Sequence, residues 1–362
     1  IYQSSNFEFS SVADFRAAMA NEIDLPIYTR GANPTVRLLE KKLAALQGTE
    51  DALCFGSGSA AVAAAVLSFL RTGDHVVCVS GAYSWTQKLF NPLLSKFGVD
   101  VTYVDGRNAL EVEAAFTPQT RMLYLESPTS ITFACQDVRA LAALAKQKKV
   151  VSLIDNTYGS ILNTFPVEVG VDVIIHSATK FISGHSDVVA GVVCASKEVI
   201  KKIFYGEYMT LGATLSPHDA WLLIRSLRTI EIRMRQGEGQ AQLISDFLQQ
   251  HPAFTFVHDP FSTSHPDYSI AKEQFKYRIP MFSFEVNSND EKQIEVFCNE
   301  LKFIRLGVSW GGYESLLIPT IVFPHRNYPV SLMRLYVGFE SGKLLCDDLH
   351  QAAVKSGIIA EG

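Results

Sequence analysis

No stretch of this chain stays apolar long enough to span a bilayer, so no membrane is expected as a partner. The longest apolar-rich run, Ala60 to Leu70, is interrupted by Ser68 and closed by Arg71, which marks a buried helix. Basic blocks are missing too. The 32 Lys and Arg stand against 37 Asp and Glu, a formal charge of -5, with no cluster that would follow a phosphate backbone. Nucleic acid is therefore not an expected partner. Cysteine is sparse, with six residues (Cys54, Cys78, Cys135, Cys194, Cys298 and Cys346), no CxxC pair and no Cys/His set at metal-ligand spacing. They read as free, buried thiols of a reducing, cytoplasmic compartment, and no metal site is expected. Internal repeats and low-complexity linkers are also lacking. What remains is 362 residues, 48% hydrophobic and 19% charged. That is too apolar for a disordered chain and too long for one comfortable core. The chain opens on Ile1 with no signal-peptide pattern, and further residues are expected ahead of it.

From Asp51 to about Ser196, short β-rich runs alternate with helical ones. Strands are expected at Ala52–Phe55, His75–Val79, Val99–Val104, Met122–Glu126, Val150–Ile154, Val171–His176 and Gly191–Ala195. Amphipathic stretches such as Ala109–Phe116 and Val138–Gln147 lie between them. Strands apolar on both faces, alternating with helices, imply an α/β fold with a mostly parallel central sheet covered on both sides. Ser216–Gln250 reads as long helical segments opened by Ser216-Pro217. Beyond Pro252 the sequence becomes turn-rich, with strands expected at Met281–Val286, Leu316–Val322 and Met333–Gly338 and helices at Glu291–Leu301 and Lys343–Ser356. The expected organisation is an N-terminal arm over 1–32 with no sheet pattern, a large domain over 33–225, and a smaller C-terminal α+β domain over 226–362.

Chemistry is expected where apolar strands end, because ligands bind outside the carboxyl ends of strands in such sheets. Ile174-Ile175-His176-Ser177-Ala178-Thr179-Lys180 carries a lysine there, flanked by hydroxyls. A desolvated lysine can act as a Schiff-base amine, and a solvated strand-end lysine is the competing reading. Asp155, in Ile154-Asp155-Asn156-Thr157, can pair with a cationic ring nitrogen or simply cap a helix. Phe55-Gly56-Ser57-Gly58-Ser59-Ala60 is a small-residue loop opening an Ala-rich helix, suited to a phosphate but lacking the full dinucleotide or P-loop pattern. Tyr83 follows a strand and can lie over a flat ring or merely pack. Tyr28 and Arg30 sit in a polar turn of the arm; Arg30 suits a phosphate, or is just solvated. Arg334, inside the apolar strand Leu332-Met333-Arg334-Leu335, is a carboxylate clamp or one half of a buried salt bridge.

Taken in order, these pieces resemble the Cys/Met-metabolism family of enzymes that use pyridoxal 5'-phosphate (PLP), the transsulfuration enzymes. The resemblance runs over nearly the whole chain. It rests on Tyr28-Thr29-Arg30, the Gly56–Ala60 loop, Glu126-Ser127-Pro128, Asp155-Asn156-Thr157, Ser177-Ala178-Thr179-Lys180 and Ser309-Trp310-Gly311-Gly312. It implies the PLP-dependent transferase fold of type I, the aspartate-aminotransferase-like fold. It implies further that Lys180 binds PLP covalently and later moves protons, that Asp155 pairs with the pyridine nitrogen, and that Tyr83 stacks on the ring. The phosphate would be held by the amides of Gly58 and Ser59, the hydroxyls of Ser177 and Thr179, and Tyr28 and Arg30 of a neighbouring subunit. Arg334 and Ser309, with Tyr28, would bind the amino-acid substrate. A homo-oligomer follows, a dimer at least and a tetramer by family habit.

Within the family, Glu126-Ser127-Pro128-Thr129-Ser130-Ile131-Thr132-Phe133 and Ser309-Trp310-Gly311-Gly312-Tyr313-Glu314-Ser315 resemble the cystathionine β-lyase branch. Trp85 stands where methionine γ-lyases carry a cysteine, and Val308 departs from both the β-lyase tyrosine and the γ-synthase glutamate. The implied activity is a C–S lyase performing α,β-elimination of cystathionine, or of a related cysteine thioether, to a thiol, pyruvate and ammonia, with a place in methionine biosynthesis. The alternative within the family is γ-replacement or γ-elimination. A nucleotide-binding module using Gly56–Ser59 is the alternative outside it, and it leaves Asp155, Tyr83 and Arg334 without a role.

Overall fold

The computed structural model describes residues 1–324 and 327–360. The chain divides into two compact units. The first comprises Ile1–Ser127, Gln136–Ser183 and Asp187–Arg228; the second comprises Pro128–Cys135, Gly184–Ser186 and Thr229–Gly362.

The first unit is built on seven strands: β1 (Asp51–Phe55), β2 (His75–Val79), β3 (Asp100–Val104), β4 (Thr120–Glu126), β5 (Val151–Asp155), β6 (Val173–His176) and β7 (Gly191–Ala195). Their order across the sheet is β1-β7-β6-β5-β4-β2-β3. β3, β2, β4, β5 and β6 run parallel, while β7 is antiparallel to both β6 and β1. The sheet is thus mostly parallel, as the unbroken apolar runs require. β1, β2 and β7 are buried at every position, which is only possible with cover on both faces.

The covering helices start and stop where local chemistry dictates. The helix Pro34–Gln47 is opened by Asn33, whose side chain accepts the Thr35 N–H, and is closed by Gly48 at φ 76°. All six cysteines are free and buried in the packed layers. The arm is not featureless. A helix at Val12–Ala20 is followed by a return in which Asn6 pairs with Tyr28 in a single antiparallel bridge. The sequence shows no period there because pairing is that short.

The second unit holds β8 (Phe254–His258), β9 (Met281–Val286), β10 (Arg305–Leu306), β11 (Leu316–Pro319) and β12 (Leu332–Tyr336), in the order β10-β11-β12-β9-β8. Its core gathers Phe254, Phe282, Phe284, Phe297 and Leu335 beneath Ile244, Leu248, Leu345 and Leu349 of two helices. β8 and β10 escaped the sequence reading for physical reasons. β8 exposes two consecutive residues across a register shift, and β10 is two exposed residues long. Among the described residues, no helix is long and apolar enough to cross a membrane.

Candidate active site

Parallel pairing brings the carboxyl ends of β4, β5 and β6 to one edge of the first unit's sheet. Glu126 is the register partner of Asp155, and Asp155 of Ile175. Asp155 ends β5 among buried neighbours, and burial pushes its carboxyl above the usual range. The Thr157 hydroxyl and amide, and then the charge of Lys180, pull it back down. Both Thr157 groups donate to the same oxygen, Oδ1, the amide at 3.0 Å. The Ser177 amide in turn donates to Thr157 Oγ1 at 2.7 Å. A hydroxyl has one proton. Because Thr157 Oγ1 accepts from Ser177, that proton goes to Asp155, which is therefore held as an acceptor with Oδ2 clear of the clamp.

Ser177 begins the turn that carries the lysine. The Lys180 amide donates to the Ser177 carbonyl at 3.1 Å, and Ser183 N–H closes onto the buried Ala178 carbonyl at 2.8 Å. The Lys180 side chain is half-buried, and its charge is felt at Asp155. A lysine free in solvent, the competing reading, is thus not what the fold builds.

On the other side of Ser177 stands the helix Gly58–Leu67, whose N-cap Ser57 accepts the Ala60 N–H. A side chain at Gly58 would place its Cβ 2.8 Å from both Cβ and Oγ of Ser177, so only glycine lets the helix end come this close. The amides of Gly58 and Ser59 have no acceptor within the helix. They meet the Ser177 hydroxyl at a spot suited to an anion. Thr179 is differently placed. Its hydroxyl accepts from the Ala190 amide at 3.0 Å and donates to the Ala190 carbonyl at 3.2 Å, so both of its roles are taken within the chain.

Tyr83 lies between β2 and the short helix Ser84–Lys88; its amide donates to Glu126 Oε2 at 2.8 Å and its ring is about half exposed. Trp85 projects into solvent two residues on, with the Lys88 ammonium 4.2 Å over its ring. In the arm, the Arg30 guanidinium stacks 5.6 Å from the Tyr28 ring, and both side chains are exposed. Within the second unit, Arg334 on β12 donates to the Ser309 carbonyl at 3.2 Å, and Ser309 sits at φ 80°, where a non-glycine residue is strained. Val308 beside it is exposed.

Geometry therefore joins Asp155, Ser177, Lys180 and Gly58, sets Tyr83 next to them through Glu126, and pairs Arg334 with Ser309. Thr157 and Glu126 are the functional residues the sequence reading left without roles. The signal for Thr157 was its offset, since an Asp accepts readily from a residue two positions on. His176 is structural. Its Nε2 lies 2.6 Å from Gln47 Oε1, and burial depresses it to about 3, so it stays neutral.

These residues suit a phosphorylated pyridine aldehyde. A half-buried carboxylate calls for a cationic partner such as a ring nitrogen, a lysine stands within its field, and helix-end amides beside a hydroxyl suit a phosphate. The family model described as Cys/Met metabolism PLP-dependent enzyme matches residues 1–354. L-Methionine gamma-lyase of Fusobacterium nucleatum subsp. nucleatum is 37% identical over 98% of this chain and 93% of that protein. Cystathionine gamma-lyase of Bacillus subtilis is 35% identical over 90% of this chain and 88% of its own length. Cystathionine beta-lyase of Lactococcus lactis subsp. cremoris is 35% identical over 91% and 88%.

Proposed function

This chain belongs to the Cys/Met-metabolism family of PLP-dependent enzymes, and from that premise we propose that it cleaves a C–S bond by α,β-elimination. The proposed substrate is cystathionine or a related cysteine thioether, and the products are a thiol, pyruvate and ammonia. The observation that carries the chemistry is the Asp155–Thr157–Ser177 chain, which fixes a half-buried acceptor and the lysine-bearing turn to one another. PLP, the family's cofactor, supplies an electron sink for the charge left when a bond at the substrate α-carbon breaks.

The residues divide the remaining work. Asp155 keeps a proton on the ring nitrogen through Oδ2. Gly58, Ser59 and Ser177 bind the phosphate, Thr179 joins them once its proton turns away from the Ala190 carbonyl, and Tyr83 covers the ring face. Lys180 would hold PLP covalently before substrate arrives; released when the substrate's amine takes its place, its Nζ would take the α-proton and return a proton to the departing sulfur. Arg334, held by the Ser309 carbonyl, binds the α-carboxylate. Its guanidinium is a planar fork suited to gripping a carboxylate through two parallel hydrogen bonds. Water completes the balance, converting the three-carbon remainder to pyruvate and ammonia. Tyr28 and Arg30 act on a neighbouring subunit's phosphate, in a homodimer or tetramer, and Tyr28 reaches its substrate.

The β-lyase reading draws on the Glu126–Phe133 and Ser309–Ser315 segments and on the bulky Trp85. A γ-elimination is the second reading, favoured by relatives named as methionine and cystathionine gamma-lyases. It needs another proton removed at Cβ. Product analysis from cystathionine separates them. Pyruvate with homocysteine supports β-cleavage; 2-oxobutyrate with cysteine overturns it in favour of γ-cleavage.

A further inference from the structure

Glu126 ends β4 nearly fully buried, 6% exposed, as the register partner of Asp155. Register partners on parallel strands point to the same face, so two carboxylates stand side by side at this edge. Burial disfavours charge at this edge and pushes the Asp155 carboxyl up. Asp155 is relieved by Thr157 and Lys180. Glu126 takes a backbone donor instead, the Tyr83 amide at 2.8 Å.

That bond lands at the start of a short helix. Tyr83 is the N-cap of a five-residue helix, at φ -49° and ψ 135°, and no side chain caps the helix there. Its carbonyl accepts from the Thr86 and Gln87 amides at 2.9 and 3.1 Å. Glu126 therefore supplies the hold on the amide side of a residue whose carbonyl side is already held by the helix. The strand that carries Glu126 is locked in register with the strand that carries Asp155. Any fixed distance between Glu126 and Tyr83 is then also a fixed distance between Tyr83 and Asp155.

We infer that Glu126 is a positioning residue, whose carboxylate oxygen fixes the Tyr83 backbone to the sheet edge so that the phenol stands in register with Asp155. This rests on the reading of Tyr83 as the residue that covers the PLP ring. What matters is the reach of the oxygen, not its charge.

The test compares Glu126→Gln, Glu126→Asp and Glu126→Ala as PLP-loaded proteins. The readouts are the visible circular-dichroism band of the bound cofactor, the PLP dissociation constant, and kcat and KM for cystathionine. Gln keeps an oxygen at the same reach and is expected to match the parent within about twofold. Asp keeps the charge one methylene short, and is expected to lose band intensity and about tenfold in PLP affinity, because small misplacements of a positioned group are costly. Ala is expected to lose at least as much. Should Ala not fold, the order of Gln and Asp decides alone. An Asp variant like the parent beside an impaired Gln variant overturns the inference, since charge rather than reach then matters. So do three unchanged variants in a protein where Tyr83→Ala weakens the band. If Tyr83→Ala itself changes neither band nor affinity, the reading of Tyr83 fails first, and the role of Glu126 falls with it.

Discussion

A single hydroxyl, that of Thr157, organises the candidate site. Replacing it with valine removes the donor to Asp155 and leaves the Ser177 amide facing a methyl group. Asp155, already pushed up by burial, would rise further. Thr157→Val is therefore expected to weaken PLP binding by about tenfold, the worth of one lost charge-assisted hydrogen bond. The acid limb of PLP affinity should also move to higher pH, while Thr157→Ser stays near the parent; spectrophotometric titration across pH checks both. His176 makes an opposite, purely structural statement. Its folded value of about 3 lies below the ordinary 6.5, so the stability it contributes is full above 6.5 and is lost as pH falls. His176→Phe abandons the Gln47 amide oxygen and should cost roughly 1–3 kcal/mol at pH 7. Its melting temperature should also fall less than the parent's between pH 7 and pH 5. Strand ends flagged Asp155 and Lys180 in the sequence. The offset of two from Asp155 could flag the hydroxyl between them, but its link to Ser177, twenty residues on, is made only through β5–β6 pairing and leaves no local mark.

Elements reveal what buried charge does to packing. The helix Pro34–Gln47 sets Glu40 against β1, where Glu40 Oε1 accepts the Cys54 amide at 2.9 Å. Arg37 bridges Glu40 and Asp51 at 3.2 and 2.7 Å. Burial outweighs these partners and raises Glu40 from 4.5 to about 7. A raised carboxyl stabilises the fold below its unfolded value, so this contribution is full near pH 4.5 and is lost as pH climbs through 7. Glu40→Gln, which keeps the acceptor for Cys54, should flatten the fall in denaturant midpoint between pH 5 and pH 8. Since His176 and Glu40 pull in opposite directions over overlapping ranges, only the paired variants isolate either one. At the helix Gly58–Leu67, Gly58→Ala drives a methyl onto Ser177. Overpacking of about 1–3 kcal/mol should appear in thermal unfolding, together with weaker binding of inorganic phosphate. Strands of the first unit other than the largely exposed edge strand β3 were legible because burial writes them as near-continuous apolar runs. β8 in the second unit was not, because an exposed, register-shifted strand carries no period to read.

At the scale of the whole molecule, sequence order and spatial grouping part company. Pro128–Cys135 and Gly184–Ser186 belong with the second unit although they lie deep inside the stretch that builds the first. The hydrogen bonds responsible, Ser283 Oγ to the Ile131 carbonyl and the Cys135 amide to Asp267, span more than a hundred residues and leave no local mark. The proposed sharing of Tyr28 and Arg30 between subunits has a test of its own. Arg30→Ala and Lys180→Ala chains, each inactive alone, should regain about a quarter of the parent rate when unfolded together and refolded in equal amounts, since a statistical half of dimers are hybrid with one intact site each. Failure to regain activity would place both residues in their own chain's chemistry. The parallel ladder from β4 to β6 has a further consequence, for how such a chain can change. Glu126, Asp155 and the Lys180 turn keep their spacing through backbone pairing, not through the helices that connect them. Residues can therefore be added to or removed from those connections without moving the reacting groups. The length of the covering layer is free to drift while the edge beneath it stands still.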